Sequence, residues 1–531
     1  MIRRFFPLLL VFFFSSLCLF AEEKKELTVN FSSTRINFDP LHTFTTTEAQ
    51  LYTAIYEGLV NYNPVNLNPV PAVAKNWDIS DDGKVYRFYL RSDARYWDGT
   101  YVSARHFRDA WMRQLDPKEK AEYSFLFDII KGAQDYRLGK INNPDEVGIR
   151  VISDSVLEVE LEHPASYFLK ILCHHSFVPI HPDFLKGKSP GTSGAIPGNG
   201  PFYVINRTDN ELTLVKNKLY WDADKVEITD LKIIFNDDPV ETTRQFNQGK
   251  IDWVASGIAV DQVEDRNTLV LNPLFATSYF YFNCTSPAID NPEVRRGLAL
   301  LLPWDQIRSR EYMYVPTSTL IPKIQDYPDV KGIDKQDVEE GHAVLEKAGY
   351  RGGKGLPTII IKIPDGGESR RIAGLMADAW RKELEVKVDV EEYDYSVYYD
   401  ELKKPGYTLG TVTWIGDFPD PLTFLQMWTT ESNLNDAGYS DREFDALVNQ
   451  SMRESGKERY ETLGRAEELL LQRGVVLPIS HSPAINLIDI EDIEGWYPNT
   501  LDIHPFKYIR FSVPRIPPGI AGWRNGDGAE S

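Results

Sequence analysis

The segment TVTWIGDFPDPLTFLQMW, Thr411 to Trp428, sets two carboxylates, Asp417 and Asp420, among tryptophans, phenylalanines and prolines. Acids in such surroundings could be the acid and base of a hydrolase, metal ligands, turn formers, or the counter-charge for a cationic ligand. A glycosidase would use the two carboxylates across a scissile bond, with Trp414 and Trp428 as sugar platforms. Residues three apart in a proline-bearing segment need not face each other, however. The chain also has no H-E-x-x-H helix. No catalytic residue is assigned. For Asp420 the spacing favours a structural role, opening a helix PLTFLQMW with Pro421 at its first position. Asp417 stays open between a turn cap and a receptor for an ammonium group, because a buried acid without a partner is costly until a cation joins it. Aromatic walls would add to that attraction.

Two further clusters carry less. HHSFVPIH brings His174, His175 and His181 near Cys173, but the spacing fits no standard zinc pattern. Histidines satisfied by backbone partners are the expectation, with no metal and no cofactor. IPGNGPF, Ile196 to Phe202, lacks the lysine of a phosphate loop and reads as a turn entering a strand.

Positioning such groups takes a large scaffold. The chain has 531 residues, beyond the ~250 to 300 at which one core stops growing, so two or three lobes are expected. Its start, with Arg3 and Arg4, the apolar run FFPLLLVFFFSSLCLF, then Ala21 before EEKKE, has the order of a secretory signal, with cleavage expected after Ala21. Cys18 raises a lipid anchor as the alternative, although Leu17 precedes it where such signals carry a small residue. The formal net charge of −20 argues against nucleic acid as a partner. Beyond the signal only Cys173 and Cys284 remain, read as two separate buried thiols.

Strand-like alternation and helical stripes are interleaved, which gives a mixed α/β class. In SVLEVELEHP, Leu157, Val159 and Leu161 fall opposite Glu158, Glu160 and Glu162. KVYRFYLR and NELTLVKN alternate likewise. A helix is expected over Ser369–Leu384, with Ile372, Leu375, Met376, Ala379 and Trp380 on one face, feeding the strand VKVDVEEY. Another starts near Asn291, with Pro292 at its first position. Residues 514–531 lose all periodicity and read as a disordered tail.

Taken in order, FDPLHT, IYEGLVNYNP, KVYRFYLRSDARYWDGTYVSARHF, GNGPFYV, NKLYWD, YFYFNCTSPAIDNPEVRRGLAL and WIGDFPDP span nearly the whole chain after the signal. In this the chain resembles the periplasmic oligopeptide-binding proteins of bacterial ABC importers, within the peptide and nickel class of extracellular solute-binding proteins. The resemblance implies a two-lobed periplasmic binding protein fold built from three domains with mixed sheets. Residues 22–56, 183–275 and 485–513 would form domain I, 57–182 domain II, and 276–484 domain III, with the chain crossing between lobes near Ala276 and Ala484. It implies a non-enzymatic, monomeric receptor in the periplasm that delivers short peptides to inner-membrane permease subunits. The ligand would lie as an added strand between the lobes. A nickel chelate, haem or glutathione is the alternative cargo, and a secreted hydrolase the remoter one.

By the same resemblance Asp417 would pair with the peptide's α-amino group. Thr413 and Ile415, flanking Trp414, would offer backbone groups to it, with Thr46 as the equivalent edge on the other lobe. Tyr123 and Tyr395 would wall the first side-chain pockets. The chain also departs from the pattern. Where relatives hold the peptide carboxylate with arginine or histidine, it reads Thr411, Leu402, Lys403 and Ser369. Lys403, Lys404 or Arg370 are the substitutes, though a lysine lacks the guanidinium fork. A cysteine pair found in some relatives is replaced by Ala276 and Ile415.

Overall fold

The computed structural model describes residues 25–32, 36–43, 45–186, 198–309 and 314–512. The expected signal sequence, its Cys18 and the tail 514–531 lie outside them. The centre of the molecule is an 11-stranded mixed sheet. Its order runs Val388–Tyr393, Ile359–Pro364, Leu409–Ile415, Leu269–Phe282, Val476–Ile488, Trp253–Val254, Glu26–Phe31, Asp230–Phe235, Glu211–Lys216 and Phe202–Arg207, with Val315–Pro316 paired to Val476–Ile488 off this path.

Two of these strands are long enough to serve both ends. Leu269–Phe282 and Val476–Ile488 run antiparallel, and their ladder is broken between the pairs Pro273–Pro483 and Thr277–His481. Prolines remove ladder donors and so suit such a break. On one side of it the pair joins Leu409–Ile415, on the other Trp253–Val254. Ala276 and Ala484 stand at the break with Leu274 in a small apolar cluster. Two lobes result, each with its own core. One packs Phe282, Leu298, Met376 and Trp380. The other packs Val29, Tyr52, Leu231 and Trp253.

A separate four-stranded antiparallel sheet, Ala74–Ile79, Val85–Leu90, Val156–Glu160 and Ile149–Ser153, completes the architecture. Its inward residues, such as Phe88, Leu157 and Val159, are buried, which is the period-two pattern the sequence displays. Helix Ala104–Gln114 packs beside it, the Trp111 indole donating to the Phe177 carbonyl at 3.0 Å.

Several elements follow from local chemistry. The helix expected over Ser369–Leu384 spans Gly367–Glu383, and Trp380 donates to the Leu298 carbonyl at 2.8 Å. Helix Pro292–Leu300 is capped by Asn291, whose side chain accepts from the Glu293 N–H. Helix Thr46–Ile55 starts with a capping box between Thr45 and Glu48. Its far end meets Gly200, whose N–H donates to the Ile55 carbonyl at 2.9 Å; a Cβ there would stand 2.5 Å from the Ile55 carbonyl carbon. That close approach explains the glycine in the turn before Phe202–Arg207.

The helix read into PLTFLQMW is present but short and irregular: one α-turn, Leu422–Leu425, runs straight into a 3-10 turn at Gln426–Trp428, with Pro421 at helical angles just before it and Asp420 accepting the Leu422 N–H at 3.0 Å. Polar groups of this stretch serve elsewhere, which shortens the helix: the Thr423 carbonyl accepts from the Trp414 indole at 3.2 Å.

Candidate functional site

A cavity of about 400 Å³ lies between the lobes, within the size range of small-ligand sites. Contacts around it draw the lobes together. Asn433 donates to the Ala121 carbonyl at 2.7 Å and the Ser124 hydroxyl at 2.8 Å, and Arg137 to the Glu431 carbonyl at 2.9 Å.

Strand Leu409–Ile415 borders this cavity with a partly open edge. It pairs along its whole length with Leu269–Phe282, but with Ile359–Pro364 through one pair, Ile361–Leu409. The direction of each backbone group follows from its neighbours. Gly416 donates to Phe275 on the paired side at 2.9 Å, while Thr411 exchanges both its backbone bonds with the Tyr398 hydroxyl on the other side, at 2.9 Å each. Alternation along the strand therefore aims the N–H and C=O of Thr413 and Ile415 at the open edge. Ile415 faces Ala276 in the register, so the two positions where a cysteine pair was expected to be replaced are indeed opposite each other.

Asp417 sits just past that edge. Its N–H donates to the Thr423 hydroxyl at 2.8 Å, and that hydroxyl donates to Oδ2 at 3.1 Å. Tyr123 hydrogen-bonds the same carboxylate, and the Tyr62 hydroxyl donates to the Asp417 carbonyl at 3.2 Å. The carboxylate is 7% exposed. His174 Nε2 comes to 3.8 Å from Oδ1, but burial, helped by His175, holds the His174 pKa well below the ordinary histidine value. A neutral imidazole at that distance is neither an ion pair nor a hydrogen bond. Among the described residues no lysine or arginine pairs with Asp417. Burial accordingly raises its pKa to about 7, against the lowering effect of the Thr423 and Tyr123 bonds.

Asp420 is different. Both its oxygens are taken by Arg459, at 2.7 and 2.8 Å, and Oδ1 also accepts the Leu422 N–H at 3.0 Å. It does not line the cavity. The two acids therefore cannot work as a catalytic pair on one substrate.

The remaining expected residues divide. Trp414, Tyr395, Tyr123 and Thr46 line the cavity with Thr413 and Ile415. Thr46 does so from the first turn of a helix. Among the basic candidates Lys403 lines the cavity, its Nζ 3.7 Å from Glu122. Arg370 and Lys404 do not line it, being engaged with Glu392 and Glu401. His174 and His175 are cavity wall, whereas His181 lies with Asp98, 3.2 Å away. His174 and His181 each accept a backbone N–H two residues on. Cys173 and Cys284 are unbridged, and burial raises both thiols.

Sequence reasoning missed Tyr62, Glu122, Asp436 and the role of Thr423. The last had a signal, a threonine six residues after the acid in the same segment. The others reach the cavity by long-range folding alone.

A two-lobed α/β fold joined by two shared strands, enclosing a cavity with an open strand edge, defines a solute-binding protein. The chain belongs to the bacterial extracellular solute-binding proteins of family 5: residues 68–436 match the part of that family described as "Bacterial extracellular solute-binding proteins, family 5 Middle". It is 28% identical to the oligopeptide-binding protein OppA of Bacillus subtilis over 450 residues, 80% of this chain and 81% of that one. The oligopeptide-binding protein OppAIV of Borrelia burgdorferi is similar in structure, with a TM-score of 0.83 at 25% identity over 92% of this chain and 100% of the other. Escherichia coli MppA, a murein tripeptide binding protein, shares the fold with a TM-score of 0.84 at 23% identity, covering 92% and 99%. Against an unliganded open form of MppA, at 23% identity covering 92% and 98%, the score falls to 0.62. Among the described residues no helix is long and apolar enough to cross a membrane.

Proposed function

We propose that this protein is the substrate-binding component of a peptide ABC importer, exported by its first 21 residues, non-enzymatic, and acting as a monomer that hands its cargo to inner-membrane permease subunits. One observation carries the reading: a nearly buried carboxylate, Asp417, with no lysine or arginine partner among the described residues, at the end of an open strand edge beside the cavity between the lobes. An extended peptide would complete both features. Its backbone pairs with Thr413 and Ile415, and its α-ammonium group supplies the missing charge. Tyr123, Trp414 and Tyr395 wall the space beside it, and Thr46 meets it from the facing lobe. Lys403 is the residue positioned to meet a ligand carboxylate. The domain boundaries read from the sequence fit a hinge at the broken ladder near Ala276 and Ala484, about which the lobes would open.

Titration calorimetry with free and N-acetylated tri- to pentapeptides tests this. Acetylation is expected to abolish measurable binding, and Asp417→Ala to weaken free peptides by roughly 2 to 5 kcal/mol, as for stranding one partner of a buried charge pair. Equal binding of acetylated and free peptides would sink the ammonium pocket. Native mass spectrometry of freshly purified protein separates cargo classes, since a ladder of peptide masses differs from the single mass of a haem, a nickel chelate or glutathione.

A further inference from the structure

The cavity holds a second carboxylate that the amine pocket does not use. Asp436 lines it from a turn fixed on several sides. The Asn435 side chain donates to the carbonyls of Thr429 and Tyr439, at 3.1 and 2.7 Å. Cys284 donates to the Ala437 carbonyl at 2.7 Å, tying the turn to the end of the long strand Leu269–Phe282. The carboxylate itself has neither a hydrogen bond nor an ion pair among the described residues, and the charges that act on it are those of Lys403 and Glu122.

Its neighbours form an aromatic chamber. The rings of Tyr279, Tyr281 and Trp428 stand 5.8 to 6.5 Å apart, and the Tyr281 and Tyr407 hydroxyls meet at 3.1 Å. Asp436 lines the same cavity as Tyr279, Tyr281 and Trp428, and its charge is among the smaller causes that raise Tyr281 and Tyr407, burial being the main one. The two cavity acids attend different parts of the strand register. Asp417 lies past Ile415, whereas Tyr281 is opposite Gly410.

We propose that Asp436 is a specificity-determining residue, receiving the cationic end of a lysine or arginine side chain of the bound peptide while the methylene stem crosses the chamber of Tyr279, Tyr281 and Trp428. The inference rests on the peptide-receptor reading above. Long basic side chains bury their stems on apolar walls and keep the charge for a polar end, and aromatic faces favour the cation on its way. An acidic side chain would be opposed. Two carboxylates, Asp436 and Glu122, face one lysine there, and Lys403 lies 3.7 Å from Glu122, which His42 also contacts at 3.1 Å.

The test uses the mature protein, freed of co-purified ligand by unfolding and refolding, with peptides that differ at one position. Lysine and norleucine share the stem and differ in the charge. Lysine tripeptides and tetrapeptides are expected to bind wild type about tenfold more tightly than their norleucine counterparts, and glutamate versions more weakly than either. Asp436→Asn should bring the ratio of lysine to norleucine affinity down to within about twofold of one. In Asp436→Lys the order of lysine and glutamate should reverse, with circular dichroism checking that both variants fold. Equal lysine and norleucine affinities in wild type, or an unchanged ratio in Asp436→Asn, would overturn the proposal while leaving the peptide reading intact. Failure of every free peptide to bind wild type would overturn both.

Discussion

Asp417 and Asp420 are three residues apart in one chain segment, and both are nearly buried, yet they do opposite things. Asp420 is closed on itself: Arg459 fills both oxygens, and the Arg459 guanidinium lies 4.3 Å from the centre of the Tyr167 ring. Asp417 has hydroxyl partners and, among the described residues, no lysine or arginine partner, and it faces the cavity. A buried charge can be retained either by pairing within the protein or by being left for a ligand. Only the second choice leaves binding energy available to a guest. Glu467 sharpens the point. Burial lifts it to about 7 as well, but it accepts the N–H groups of Leu320 and Ile321 and the Tyr327 hydroxyl, and it lines no part of the cavity. A raised carboxyl alone therefore does not mark a site; its open side does.

The comparison can be broken most forcefully at Arg459. Arg459→Ala would leave Asp420 buried without its cation, and a loss of roughly 3 to 5 kcal/mol in unfolding free energy is expected. Urea denaturation measures it. Asp417→Asn should behave in the reverse way, with stability kept or slightly raised and peptide binding weakened by roughly 2 to 5 kcal/mol but still measurable. If Asp417→Asn instead unfolds the protein as Arg459→Ala does, Asp417 is a structural acid and the contrast fails.

The next effect is on pH. Burial in the closed fold pushes Asp417 up to about 7, and an ammonium ligand needs it ionised. Protons then compete with the peptide, so affinity should fall by up to about tenfold per pH unit as pH drops below about 7. Above about pH 8 the peptide's own amine loses its proton, so the profile should peak between. Stability runs with the opposite sign. A carboxyl raised from 3.8 to about 7 makes the folded state bind more protons than the unfolded one across that window. The unliganded protein should thus lose stability as pH rises through it. Asp417→Asn should flatten the acid limb of binding. Glu467→Gln should change the slope of stability and leave that limb in place. An acid limb that survives Asp417→Asn would assign it to another group.

Much of the scaffold was legible because it rests on local patterns. The alternation in Val156–Glu160, the stripe of helix Gly367–Glu383 and the Asn291 cap each come from spacing of a few residues. The site was legible only in part. Trp414, Asp417 and the backbone of Thr413 and Ile415 belong to one segment, so one motif brings them together. Asp420 drew the right structural reading, but its partner Arg459 is 39 residues away and no local signal points to it. Thr46, expected as the facing edge on the other lobe, lines the cavity from the first turn of a helix, a placement that no local pattern announces. Arg370 and Lys404 carry suitable charge, but charge in sequence does not reveal direction, and both face acids outside the cavity. Tyr62, Glu122 and Asp436 reach the cavity by long-range folding, a property of the whole chain.

The smallest expected effect is the most selective test of how Asp417 is held. Tyr123 is buried and its hydroxyl bonds the carboxylate, which lowers the Asp417 pKa against the pull of burial. Tyr123→Phe removes that bond and little volume. One neutral hydrogen-bond donor is worth about 1 kcal/mol, so affinity at pH 8 should fall about fivefold. The same loss should move the acid limb of binding to higher pH, because the ionised form has one donor fewer. A variant that only disturbed packing would weaken binding equally at every pH. The midpoint of the acid limb, compared between Tyr123→Phe and wild type, therefore separates a donor that tunes the receptor's charge from an aromatic wall that merely fills space.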